Sequence, residues 1–164
     1  MNNNIILIGM PGAGKSTVGV VLAKKLGYTF IDSDLVIQKE KGLLLHELIE
    51  QNGIEGFNEI ENEVNAAISA EDSVIATGGS AIYGKEAMEH FKTIGKIIYL
   101  QLPYEEIEQR LGDLNERGVS IKKGQTLHSL YEERIPLYEK YADITIDCYN
   151  LPIREIIKKI TAFI

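Results

Sequence analysis

One stretch limits what this chain can become: Gly9-Met10-Pro11-Gly12-Ala13-Gly14-Lys15-Ser16. The apolar run Ile5-Ile6-Leu7-Ile8 precedes it, and Val18, Val21, Leu22 and Leu26 follow at the spacing of one buried helix face. A strand, a glycine-rich turn and a helix are the setting in which G-x-x-x-x-G-K-[ST] binds phosphate. Glycines allow consecutive backbone N–H groups to turn inward on an anion, and the helix N-terminus adds partial positive charge. Gly12, Ala13, Gly14, Lys15, Ser16 and Thr17 are therefore the expected nucleotide-phosphate site, with Lys15 reaching the outer phosphates and the Ser16 hydroxyl on a magnesium ion.

Downstream, helical periodicities alternate with short apolar runs, which predicts an α/β fold of three layers: a five-stranded, mostly parallel sheet flanked by helices. Further strands are expected at 28–31, 73–77, 96–100 and 144–146. Helices are expected at 35–40, 44–50, 54–68, 85–91, after Pro103, around 127–138 with a kink or break at Pro136, and from Ile153 onwards. Gly27 fits the C-cap of the first helix. No linker or repeat interrupts the 164 residues, so a single domain over 1–164 is expected. Between 112 and 125 the pattern lapses into a polar stretch with three glycines and no apolar helix face, which predicts a mobile loop or lid.

A net charge of −7 argues against nucleic acid as a partner, and no apolar run is long enough to cross a membrane. The start lacks the basic region of a secretion signal, and the single cysteine, Cys148, cannot form an internal disulfide. A cytoplasmic monomer acting on a small molecule is the expectation.

In parallel α/β sheets, ligands gather at the carboxyl ends of the strands. Asp32 and Asp34 follow the second strand; two apart in an extended stretch they would point the same way, one toward the metal and the other toward an attacking hydroxyl. Asp32 is equally suited to N-capping the next helix. Gly78-Gly79 after the third strand reads either as a tight turn or as a backbone wall that lets a substrate approach closely. The chain has four arginines: Arg110, Arg117, Arg134 and Arg154. Arg154 reads as a surface charge, and Arg110 as a helix pair with Glu106. Arg117 in the polar loop is either a solvated charge or a finger folding over a phosphoryl group. Arg134 shares the apolar spacing of Leu127, Leu130, Tyr131 and Tyr138, so it faces inward and needs an anionic partner. His46, His90 and His128 are isolated and read as surface or packing residues.

Taken together, the phosphate loop, Phe30-Ile31-Asp32-Ser33-Asp34, the Gly53…Phe57…Glu61 segment, Val74-Ile75-Ala76-Thr77-Gly78-Gly79 and Arg134-Ile135-Pro136-Leu137-Tyr138 with Ala142-Asp143 resemble the shikimate kinase family. The resemblance covers nearly the whole chain. It implies a phosphate-loop kinase of aromatic amino-acid biosynthesis using ATP and Mg2+, with shikimate as acceptor and a lid closing over the nucleotide. It further implies Lys15, Ser16 and Asp32 at ATP and magnesium, Asp34 at the substrate hydroxyls, Arg110 along the adenine, Arg117 as the lid arginine and Arg134 at the substrate carboxylate. The sequence departs from the family at Asn58, where an arginine usually pairs with that carboxylate, at Ser80, the third position of a usual glycine triple, and at Gly118, commonly proline. Asn58 and Ser80 are candidate substrate contacts through neutral hydrogen bonds, together with Gly78 and Gly79. Losing one bidentate arginine contact costs on the order of 2–5 kcal/mol if nothing compensates. The altered pocket leaves open a kinase for another hydroxylated metabolite, or an ATP-binding homologue without catalysis. Hydrogen exchange tests the loop: amides over 112–125 are expected to exchange among the fastest in the free protein, and strong protection there would contradict a mobile segment.

Overall fold

The computed structural model describes residues 3–112 and 121–164. Five strands form one parallel sheet: β1 (Asn4–Ile8), β2 (Thr29–Asp32), β3 (Ser73–Ala76), β4 (Gly95–Gln101) and β5 (Ile144–Asp147), in the order β2-β3-β1-β4-β5. β1 is central: Ile6 lies opposite Ile75 on one side and Ile97 on the other. All five of its residues are buried, as a strand covered on both faces requires. Seven helices occur among the described residues: α1 (Lys15–Leu26), α2 (Ser33–Lys41), α3 (Leu45–Ala66), α4 (Lys85–Ile94), α5 (Tyr104–Leu111), α6 (Leu127–Tyr141) and α7 (Ile153–Thr161). α1 packs on α7 and over β2 and β3, while α4 and α6 pack on β4.

Two details differ from the sequence reading, at Val21 and at Pro136. Val21 is exposed, and α1 buries Val18, Gly19, Leu22 and Ala23 instead. The reason is Gly19: a Cβ there would stand 2.6 Å from the Phe30 ring, so the helix settles onto β2 along its glycine. The two helices expected at 44–50 and 54–68 are present as the two arms of α3, which meet at a kink where Gly53, with φ of 71° and ψ of 175°, leaves the helical backbone. α6 runs through Pro136 without breaking. Pro136 and Glu132, four residues before it, are both exposed, so the carbonyl that proline leaves without a donor can be hydrated.

At the end of the sheet remote from the phosphate loop, one polar side chain ties three elements together. The buried Asn4 amide donates to Ala70 O at 2.7 Å and Ile94 O at 3.0 Å, and its oxygen accepts from Ser73 N at 3.0 Å. These bonds fix the start of β3 and the end of α4 against β1. Asn4→Ala would strand buried donors and acceptors. Urea unfolding is expected to show a loss of about 2–4 kcal/mol with an unchanged denaturant slope.

Candidate active site

The turn after β1 leads into α1 through Gly14, whose φ of 91° is left-handed backbone. Ala13 N donates to Met10 O at 3.1 Å and Val18 N to Gly14 O at 2.8 Å, so the loop closes directly into the helix. The Lys15 side chain is buried and donates from Nζ to Gly9 O at 2.6 Å and Met10 O at 2.8 Å. Burial pushes its ammonium down to about 8, against the raising influence of the Asp34, Asp32 and Glu61 carboxylates.

Asp32 ends β2, and its two carboxylate oxygens have different partners. Oδ1 accepts from Asp34 N at 3.0 Å, capping α2, and Oδ2 accepts from Ser16 Oγ at 3.4 Å. The expectation of an extended Asp32-Ser33-Asp34 is corrected here: Asp34 already belongs to the first turn of α2, started by the Asp32 cap. Asp34 reaches the cavity from this helical turn. Burial, then the neighbouring Asp32 charge, lifts its carboxyl to about 6.

A cavity of about 210 Å³ lies between the phosphate loop and the segment after β3. Lys15, Asp34, Glu61 and Arg134 supply its charges; Gly78, Gly79 and Ser80 form one wall, and Phe57 contributes apolar surface. The two glycines are a wall of the close-approach kind. A Cβ on Gly78 would lie 2.7 Å from Asp34 Oδ1, and one on Gly79 would lie 2.6 Å from Pro11 Cδ and 2.9 Å from Arg134 Nη1. The Gly79 carbonyl accepts from the Tyr138 hydroxyl at 2.7 Å, and Tyr138 in turn stacks on Tyr99 with ring centroids 5.0 Å apart.

Arg134 is 1% exposed and faces inward, as its spacing predicts. Its Nε donates to the Tyr83 hydroxyl at 3.4 Å, its guanidinium lies 5.4 Å from the Tyr83 ring centre, and Tyr83 donates to Glu133. Arg110 makes the expected pair with Glu106 at 3.2 Å and also donates to Gly12 O at 3.3 Å, which brings its guanidinium onto the phosphate loop. Arg154 is a surface charge. Arg117 and Gly118, with most of the expected loop at 112–125, lie outside the described residues.

Ser80 and Asn58 separate. Ser80 lines the cavity and donates to Glu61 Oε1 at 2.6 Å. Asn58 instead lines a smaller neighbouring cavity with Tyr83, Lys122 and Glu133, and its buried Oδ1 has no hydrogen-bond partner among the described residues. Position 58 follows the buried Phe57 on α3, and Asn58 shares its cavity with Tyr83, the residue that contacts Arg134. Glu61 was not singled out by its chemistry in the sequence. The signal was present: it lies four residues after Phe57 and three before Val64, a charge on an apolar helix face like Arg134.

Ser16 Oγ and Asp32 Oδ2 form a pair of hard oxygen donors beside the loop, the donor type magnesium takes. No group of three potential metal ligands occurs among the described residues.

A phosphate cradle opening beside a charged cavity, with a carboxylate and an arginine on the far wall, defines a phosphate-loop phosphotransferase. The shikimate kinase family model matches residues 11–164. A shikimate kinase of Francisella tularensis subsp. novicida is 39% identical over 98% of this chain and 94% of its own length. The structure of shikimate kinase from Acinetobacter baumannii in complex with shikimate matches with a TM-score of 0.87 and 34% identity, over 98% of this chain and 92% of that one. The shikimate kinase from Aquifex aeolicus matches with a TM-score of 0.81 and 33% identity, over 97% and 94%. The chain belongs to the shikimate kinase family.

The wall geometry is open to test. Gly79→Ala would push a methyl group into Pro11 and the Arg134 guanidinium. Acceptor KM is expected to rise at least about tenfold while nucleotide binding by equilibrium dialysis stays within about twofold.

Proposed function

We propose that this protein transfers the terminal phosphoryl group of ATP to a hydroxyl of shikimate. The observation that carries this reading is the convergence of Asp34, Arg134 and Lys15 on one cavity beside the phosphate loop, in a chain of this family. Arg134 supplies the fixed cation for the acceptor carboxylate. Asp34 receives the hydroxyl proton as the oxygen attacks phosphorus. A carboxyl lifted to about 6 by burial is a stronger base than an ordinary aspartate and is still ionised at neutral pH. Lys15 leaves its two loop carbonyls for the more negative phosphate oxygens, a charge-assisted exchange.

Mg2+ would be held by Ser16 with Asp32 nearby, and it would neutralise charge on the phosphates. Arg110, already on Gly12 O, is assigned to the nucleotide, and Arg117 to the transferring phosphoryl group, as the family resemblance implies. Gly78, Gly79 and Ser80 are assigned to the acceptor. Asn58, on the adjoining cavity, is assigned only an outer position.

The reading includes a single domain over 1–164 with a lid near 112–125, acting as a cytoplasmic monomer without nucleic-acid or membrane partners. The net charge of −7 supports the part of it that concerns nucleic acid.

ADP release with ATP and Mg2+ is expected to be saturable in shikimate; no stimulation with ATP binding intact would refute this acceptor. Asp34→Asn is expected to lower kcat by about 10²-fold or more. Because the folded-state carboxyl is raised from 3.8 to about 6, Asp34 destabilises the fold once the pH exceeds that range. The same substitution should therefore leave the thermal midpoint at pH 7–8 equal or higher.

A further inference from the structure

Glu61 is 2% exposed, and its two oxygens have different surroundings. Oε1 accepts from Ser80 Oγ at 2.6 Å. Oε2 is buried with no hydrogen-bond partner among the described residues. The missing Cβ of Gly78 marks where it points: that position is 3.0 Å from Glu61 Oε2 and 2.7 Å from Asp34 Oδ1. Two carboxylate oxygens thus converge on the space that a Cβ of Gly78 would fill, at the edge of the cavity.

The groups facing Glu61 come from every element around it. Lys15 on α1 and Arg134 on α6 favour its charge, as does the Ser80 hydrogen bond, while Asp34 on α2 opposes it. Burial outweighs the favourable contacts and lifts the carboxyl to about 7. Tyr138 on α6 also lies within electrostatic range. The balance is set without an acceptor present. An anionic acceptor brought to Arg134 adds a negative charge and offsets the cation that most helps Glu61 from that side.

We propose that binding of an anionic acceptor is linked to uptake of one proton at Glu61 Oε2, the oxygen that Ser80 leaves unpaired. The inference rests on the acceptor reading above and deepens it. The proton comes from solvent and no other bond changes. With it, Oε2 turns from an unpaired acceptor into a donor on the side where Asp34 Oδ1 lies, and Asp34 alone carries the negative charge next to the bound anion. Ser80 is the second partner in this arrangement. Its hydroxyl anchors Oε1 in either protonation state, and it favours the ionised form, so it sets the pH at which the linkage operates.

The test is calorimetric titration of the whole protein with shikimate, without nucleotide, in buffers of different ionisation enthalpy from pH 6 to 9. Wild-type protein is expected to take up roughly half a proton or more per shikimate above pH 7, with affinity falling up to about tenfold per pH unit there. Glu61→Gln, which keeps shape and cannot titrate, is expected to remove the uptake and flatten the pH dependence. Ser80→Ala, which deletes only the hydrogen bond favouring the charged form, is expected to move the uptake to higher pH by about one unit. A residue of merely structural importance would lower affinity equally at all pH values and leave proton uptake unchanged.

Wild-type binding without uptake overturns this inference alone, as does Glu61→Gln binding with undiminished uptake. Should Glu61→Gln fail to fold, an unshifted uptake in Ser80→Ala has the same force. Absence of shikimate binding to the wild-type protein at every pH overturns the acceptor assignment and this inference together.

Discussion

Lys15, Asp34, Glu61 and Arg134 meet in one cavity at the carboxyl ends of β1 and β3, and the site depends on their mutual compensation. Lys15, Glu61 and Arg134 are almost completely withdrawn from solvent. A buried charge without a partner is costly, and a cluster of two cations and two carboxylates spreads that cost. It does so incompletely. Burial moves Lys15 down and Asp34 and Glu61 up, each toward its neutral form. Such a cluster is held ready to exchange internal partners for the charges of substrates, as expected of a site that must bind phosphates and an anionic acceptor side by side.

The framework that imposes this crowding is rigid. β1 is buried on both faces between β3 and β4, and the phosphate loop leaves it without slack into α1. Across the cavity, Tyr138 joins the wall to α6 through the Gly79 carbonyl while stacking on Tyr99 of β4. Pro11, Gly79 and Arg134 then meet at distances that leave no room for a Cβ. Side chains from α1, α2, α3 and α6 are thus brought within one small volume by contacts that do not themselves perform chemistry.

Ser80 and Asn58, two of the positions set apart in the sequence, have different surroundings. Ser80 adds a hydroxyl directly beside the acceptor wall and captures Glu61. Asn58 lines the adjoining cavity with Tyr83, Lys122 and Glu133. Arg134 and Lys15 are the cations that line the principal cavity among the described residues.

Local chemistry was legible in the sequence wherever a residue's role follows from its immediate neighbours. The phosphate loop, the Gly27 cap, the five strands and the inward-facing Arg134 could be read from motif, glycine position and apolar period, because hydrogen bonding and burial in a helix or strand repeat along the chain. Asp32 could be read as a cap from its position, but only folding shows one oxygen on Asp34 N and the other toward Ser16. The same holds for Asp34, which enters from a helical turn, and for Val21, displaced to the surface because Gly19 seats α1 on Phe30. The strand order, the separation of Ser80 from Asn58 and the pairing of Ser80 with Glu61 join residues 19 or more positions apart across different elements. The sequence by itself determined which groups the protein has for phosphate and acceptor chemistry. Tertiary structure alone decided which of them meet, because contact across a sheet depends on packing distances that no local periodicity encodes.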